Sequence, residues 1–148
     1  MPVTRTTTAT PSQVWSVLAQ GWDYAGWVVG ASRIRGVDNT WPLPGSKISH
    51  SVGPWPAMID DNTVVEAATP EKELILLAKV WPVAAARITM RLHEIPKGTR
   101  IEMSESAVSK PFSWIPQPVQ SAALWRRNHE CLLRLALIAE GRESDGDS

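Results

Sequence analysis

The feature that most constrains this fold is one long amphipathic segment, from about Val119 to Glu140. Its apolar residues recur at helical intervals, which predicts a single helix with one buried stripe. Gly141 follows and is expected to end the helix. A helix with one apolar stripe needs a covering surface, which the rest of the chain must supply. The stripe consists of Leu124, Cys131, Leu132, Leu135, Ile138 and Ala139.

The middle of the chain predicts that surface as a run of about six strands. The segment 84–94 alternates most regularly between apolar and polar residues. Pro96–Gly98 predicts a hairpin turn, because proline fixes φ and glycine accepts a positive φ. Turns of this kind make the sheet antiparallel. The predicted strands cover residues 32–37, 47–53, 58–67, 74–80 and 84–94, with a last strand through Ile101 and Met103.

The first part of the chain predicts a strand and then two short helical segments. Residues 3–9 are rich in Thr and Val, as strands are. Thr10 can cap a helix in which Gln13 completes a capping box, and Gly21 is expected to end that helix. Residues 22–29 predict a second short helix or a turn. The loop between the last strand and the long helix is predicted at 109–118.

Composition excludes several classes of protein. The 148 residues suit one domain, expected at 1–141, with a polar tail at 142–148. The chain has 15 basic and 15 acidic residues, so no basic excess exists to neutralise phosphates. Nucleic acid is therefore not an expected partner. Histidine and cysteine spacing fits no zinc site, and no phosphate-binding glycine motif is present, so we predict no metal or cofactor.

The expected location is the cytoplasm. The first residues lack the apolar run of a signal peptide, and no stretch approaches the ~20 apolar residues of a membrane span. The single cysteine, Cys131, cannot form an internal disulfide, and a buried thiol fits a reducing compartment. Oligomeric state is not predicted by these patterns.

Four segments resemble the START-like (SRPBCC) superfamily, which includes polyketide cyclase/dehydrase and lipid-transport proteins and the pollen-allergen fold. They are residues 10–18, 53–56, 98–101 and the helix around 125–128. The first segment fits the pattern P-x-x-V-W-x-x-L. The resemblance covers nearly the whole chain and implies a helix-grip α+β fold. In that fold a curved antiparallel sheet of about seven strands wraps a long C-terminal helix, and two short helices follow the first strand. The resemblance also implies a cavity between sheet and helix, but no single activity.

Two side chains are candidates for chemistry in such a cavity. Glu105 has the same parity as Ile101 and Met103, so its carboxylate is predicted to face the apolar side of the sheet. There it is either an acid, a base or a ligand-binding group, or a structural carboxylate paired with an arginine. His50 shares a face with Ile48, and is either an acid–base group or a hydrogen-bonded core histidine.

Other polar and aromatic residues have two interpretations each. Tyr24, with Trp22 and Trp27, is predicted either to cover the mouth of a pocket or to pack a helix on the sheet. Arg126 and Arg127, near the start of the long helix, are expected on a solvated face. Eight tryptophans, against one tyrosine and one phenylalanine, are expected mainly to fill the core.

The leading hypothesis is binding, with possible transport or processing, of a small hydrophobic molecule such as a lipid or a polyketide-like compound. One alternative is a polyketide cyclase/dehydrase-type enzyme that uses His50 and Glu105 as an acid–base pair. Another is an interaction protein that fills its own cavity. The residues predicted to line the cavity are Trp27, His50, Trp55, Leu76, Met90, Met103, Glu105, Trp114 and Leu135.

Overall fold

The computed structural model describes residues 2–28, 31–52, 59–80, 84–107 and 117–142. Within these ranges the chain forms strands, three α-helices and a short 3-10 helix at Gly21–Asp23. The helices are α1 (Pro11–Leu18), α2 (Tyr24–Trp27) and α3 (Gln117–Glu140). The strands are β1 (Val3–Thr7), β2 (Ala31–Val37), β3 (Lys47–Val52), β4 (Ile59–Thr69), β5 (Glu73–Val80), β6 (Ala84–Ile95) and β7 (Gly98–Ala107).

All seven of these strands belong to one curved antiparallel sheet, in the order β1-β7-β6-β5-β4-β3-β2. Strands that follow one another along the chain are neighbours, except that β1 pairs with β7. The first two strands therefore form the two edges, and α1 and α2 connect them. This is the predicted helix-grip architecture, and the fold prediction is confirmed.

The predicted apolar face of the sheet packs against the stripe of α3. Alternate residues in the middle of β6 and β7 are buried, as the alternation predicted: Ile88, Met90 and Leu92 in β6, and Thr99, Ile101 and Met103 in β7. On α3 the stripe is also confirmed, although the side chain of Leu124 lies outside the description. Burying two matched apolar surfaces is the main source of stability in such a layer. The core includes Leu74, Leu76, Ile88, Met90, Leu92, Ile101, Met103, Cys131, Leu132, Leu135 and Ala139.

The start of α1 is capped as predicted, but its end is not. The Thr10 backbone N–H donates to Gln13 Oε1 at 2.8 Å, and Gln13 N–H donates to Thr10 Oγ1 at 3.2 Å. The helix ends at Leu18, so Gly21 does not terminate it. Glycine is needed there because a Cβ would lie 2.5 Å from Val37 Cγ1 in β2. The prediction interpreted this glycine as a helix end, whereas it reflects the close packing of Gly21 against Val37.

Side-chain hydrogen bonds close the fold where the β6–β7 hairpin meets β1. Thr99 Oγ1 donates to the Ala9 carbonyl at 2.8 Å, and Ala9 N–H donates to Thr7 Oγ1 at 3.2 Å. These bonds replace the sheet ladder, so β1 ends at Thr7 and not at Ala9 as predicted. Gly98 has a φ of +150°, and a Cβ there would lie 1.9 Å from the Thr7 carbonyl oxygen.

The end of α3 is bonded to the same region, which we call the Gly98 end. Thr7 Oγ1 donates to Glu140 Oε2 at 2.5 Å, and Gln13 Nε2 donates to the Arg142 carbonyl at 2.5 Å. The Arg142 guanidinium also pairs with Asp23. Arg142, expected to begin a polar tail, is thus tied to the fold.

At the other end of α3 the prediction was two residues late. The helix begins at Gln117, whereas the pattern placed its start near Val119. Proline at 118 misled the prediction, because proline fits the first turn of a helix as readily as a loop. The rest of the predicted 109–118 loop lies outside the described residues.

Candidate functional site

Glu105 points into the interior and is bound by an arginine from α3. Its side chain is 10% exposed. Arg127 Nη1 donates to Glu105 Oε1 at 3.3 Å and to Oε2 at 3.1 Å, which joins β7 to α3. The inward orientation was predicted, and so was an arginine partner as the structural interpretation of Glu105. Arg127, expected on a solvated face, is 31% exposed and turns its guanidinium towards Glu105, whereas Arg126 is exposed.

Helix geometry explains how Arg127 reaches the interior. It lies four residues before Cys131, so the two side chains project from the same side of α3, one turn apart. Cys131 is fully buried in the stripe that faces the sheet. Arg127 therefore stands at the border of the stripe, where its stem packs and its guanidinium turns towards Glu105.

Tyr24 brings a second polar group to this region. Its hydroxyl forms a 3.1 Å hydrogen bond with Thr63 Oγ1 on β4, and its side chain is 3% exposed. Burial raises the pKa of the Tyr24 phenol above 10.0, with smaller electrostatic effects from Arg127, Cys131 and Glu105. The phenol is therefore neutral at physiological pH and interacts with a balanced ion pair. We call Tyr24, Thr63, Glu105, Arg127 and Cys131 the interior polar cluster.

Tyr24 and Trp27 pack α2 on the interior and do not form a cover over it. Trp27 is 2% exposed, and the two rings meet edge to face with centroids 5.6 Å apart. Trp22, the third member of the predicted group, is 58% exposed. Of the two interpretations of Tyr24, helix-to-sheet packing is therefore the one that the structure supports.

Asn128 adds an unpartnered acceptor beside the cluster. It lies on the buried stripe of α3 and is 3% exposed. Its Oδ1 is buried and, within the described ranges, accepts no hydrogen bond. Sequence analysis did not select Asn128, although a polar residue in an apolar stripe is the same kind of signal that selected Glu105.

The structure places six of the nine residues predicted to line a cavity, counting only side chains that it describes. Glu105 belongs to the interior polar cluster. The other five belong to the buried core around it: Trp27, Leu76, Met90, Met103 and Leu135.

The remaining three lining residues cannot be judged from side-chain geometry. His50 is in β3, opposite Ile34 and Asp61, but its side chain lies outside the description, as do residues Trp55 and Trp114. A ligand-lining role for the nine residues stays a prediction, and so does the acid–base pairing of His50 with Glu105.

The end of the sheet opposite the interior polar cluster carries an open groove that the sequence did not predict. Its volume is about 780 Å³, and it lies between the β4–β5 turn, the start of α1 and the end of β6. Half of its lining residues are charged, and Arg91 is paired there with Glu73 at 2.9 Å. Mixed, mutually paired charges in an open groove are typical of a solvated surface.

In the ranges that the structure describes, no group of three or more His, Cys, Asp or Glu side chains could hold a metal ion. Among the described helices, none is both long enough and apolar enough to cross a bilayer.

Comparison with known proteins identifies the fold. No family model and no curated protein matches the chain. A solved structure from Rhodobacter sphaeroides is 21% identical, with a TM-score of 0.73 over 96% of this chain and 92% of that one. Ara h 8.0201 is 10% identical, with a TM-score of 0.69 over 95% and 97%. The di-domain ARO/CYC StfQ, from the steffimycin biosynthetic pathway, is 8% identical, with a TM-score of 0.74 over 95% of this chain and 50% of that one. At such identities the likeness concerns the fold alone.

Proposed function

This chain has the START-like helix-grip fold, and from that premise we propose that it binds a small hydrophobic molecule between the sheet and α3. The observation that carries the proposal is the Arg127–Glu105 pair, which bridges β7 and α3 at the edge of the apolar interior. Small-molecule sites combine apolar walls with a few fixed polar groups that set orientation. The interior polar cluster supplies such groups, and the surrounding core supplies the walls.

Binding would require part of the core to repack. Leu76, Met90 and Leu135 have no exposed surface. Met90 and Met103 face each other across β6 and β7, and methionine adapts its shape more readily than branched side chains do. Each methylene of a ligand buried there would contribute about 0.8 kcal/mol, which offsets the cost of moving such side chains.

Proteins of the same fold support a small-molecule ligand. StfQ and the di-domain ARO/CYC BexL are named as proteins of the steffimycin and BE-7585A biosynthetic pathways, which make small molecules. The Arg127–Glu105 pair suits the binding proposal better than an acid–base mechanism, because both Glu105 oxygens already accept bonds from a guanidinium.

Native mass spectrometry of the purified protein, followed by extraction of anything bound, is the first test. Tryptophan fluorescence, from eight such residues, then follows titration with a panel of lipids and aromatic compounds. We expect one apolar compound to bind stoichiometrically. Arg127→Met should weaken its binding about tenfold by freeing Glu105 to disturb the site.

Arg134→Met is the matched control, because Arg134 is on the same helix but pairs with Glu130 on its exposed side. This control should bind as the wild type does. An unliganded protein that binds nothing in the panel would refute the proposal and favour an interaction protein with a self-filled interior.

A further inference from the structure

Asn128 keeps a buried acceptor that has no partner among the described residues, at the edge of the proposed ligand site. Its side chain is 3% exposed, and no group in the described ranges donates to Oδ1. Buried polar atoms are nearly always hydrogen-bonded, because an unpaired one destabilises the fold where an apolar group of the same shape would not. A residue that breaks this rule is commonly retained for function.

The position of Asn128 links it to the interior polar cluster. It follows Arg127 directly, and it lies one helical turn before Cys131 and Leu132 on the buried stripe. One turn of α3 therefore presents both the cation that binds Glu105 and an acceptor that binds nothing among the described residues.

The charges of the site favour a neutral donor over an anion. Arg127 is already balanced by Glu105 at 3.1 Å, so an anionic ligand would add a second negative charge beside a carboxylate. A hydroxyl group adds no charge, and it supplies the donor that Asn128 lacks.

Building on the proposed function, we propose that Asn128 is a specificity-determining residue whose Oδ1 accepts a hydrogen bond from a neutral hydroxyl of the ligand. The ligand is then a phenol or an alcohol with an apolar body, and not a carboxylate or a phosphate. Its apolar body packs against the neighbouring stripe, including Leu132 and Leu135, which are fully buried.

Calorimetric titration with three probes of one shape tests this inference: naphthol, methylnaphthalene and naphthoate. We expect the wild type to bind naphthol about tenfold more tightly than methylnaphthalene, the usual effect of one buried hydrogen bond. Naphthoate should bind more weakly than naphthol. Asn128→Leu, which keeps the number and branching of side-chain heavy atoms, should remove the preference by weakening naphthol binding alone.

Asn128→Ala should also lose the preference, and it covers the case in which leucine does not fit. Leu132→Met, a volume-conserving change one turn away, should alter the binding of naphthol and methylnaphthalene alike and keep the preference. The stability of the ligand-free protein gives a second measurement. Asn128→Leu should match or exceed the wild type in urea denaturation, because it removes an unpaired acceptor.

The outcomes separate this inference from the proposal beneath it. If no probe binds the wild type, this inference is refuted, whereas the proposed function is refuted only when the wider panel of lipids and aromatic compounds also fails to bind. If naphthol and methylnaphthalene bind equally, or if Asn128→Leu keeps the preference, only the role of Asn128 is refuted. Tighter binding of naphthoate would refute the neutral ligand class. Lower stability of ligand-free Asn128→Leu than of Leu132→Met would assign Asn128 a structural role instead.

Discussion

Polar side chains close the Gly98 end of the fold, whereas Asn128, next to the interior polar cluster, has an acceptor with no partner among the described residues. At the Gly98 end, the Thr7 hydroxyl both accepts from Ala9 and donates to Glu140. Next to the interior polar cluster, Asn128 Oδ1 has no hydrogen-bond partner in the described ranges. Polar groups thus bond to one another in one place, whereas in the other a buried acceptor has no partner among the described residues.

The largest expected effect tests whether the Gly98 end is as rigid as its contacts indicate. Gly98→Ala would place a Cβ 1.9 Å from the Thr7 carbonyl oxygen and 2.9 Å from Thr8 Cα, at a φ of +150°. We expect the free energy of unfolding in urea to fall by about 3 kcal/mol or more, from backbone strain and a clash between main chains.

Gly45→Ala is the matched control for that prediction. Gly45 also has a positive φ, +90°, but an added Cβ would meet nothing within 4 Å. Strain alone should then cost about 1 kcal/mol. Equal losses for the two variants would show that the hairpin and β1 can separate, and the contrast between the two regions would not hold.

The next effect concerns the ion pair of the interior polar cluster. Arg127→Met leaves the Glu105 carboxylate, 10% exposed, without its guanidinium, and this should cost about 1–3 kcal/mol in urea denaturation. Arg134→Met removes an exposed pair on the same helix, where the side chains are 44% and 45% exposed. That change should cost about 0.5 kcal/mol or less.

A cost for Arg127→Met no larger than that for Arg134→Met would mean that Glu105 is solvated in solution. The interior polar cluster would then belong to the solvated surface, as the open groove at the end of β6 does.

Local patterns predicted most of the fold, since they act within a few residues. Alternation placed β6 and β7 and their buried faces, and the Thr10–Gln13 box placed the start of α1. The prediction failed where the cause is tertiary. Gly21 is glycine because Val37 approaches it from β2, and no pattern near Gly21 records that contact.

Of the Arg127–Glu105 pair, the sequence identified only the member on the sheet. The parity of β7 identified Glu105. Arg127 is 22 positions away along the chain, and the pairing of these two residues depends on how α3 packs against the sheet. Thr63 was missed for the same reason, because its bond to Tyr24 joins β4 to α2. Asn128 was predictable in principle, as a polar residue within an apolar stripe.

The smallest effect uses Tyr24, the only tyrosine in the chain, to test how well the cluster is sealed from water. Burial raises the pKa of its phenol above 10.0, so the folded state holds the proton more tightly than the unfolded state does. The resulting stability is fully present below pH 10.0 and is lost as the pH rises through the folded-state pKa.

Tyr24→Phe removes the bond to Thr63 and should cost about 1 kcal/mol at neutral pH. Its stability should then fall less steeply than that of the wild type above pH 10.0. Near-ultraviolet absorbance of the single tyrosinate in the folded protein measures the same titration directly. A phenol that titrates at 10.0 or below would show that water reaches the cluster, and the contrast with the Gly98 end would then be one of exposure and not of unpaired groups.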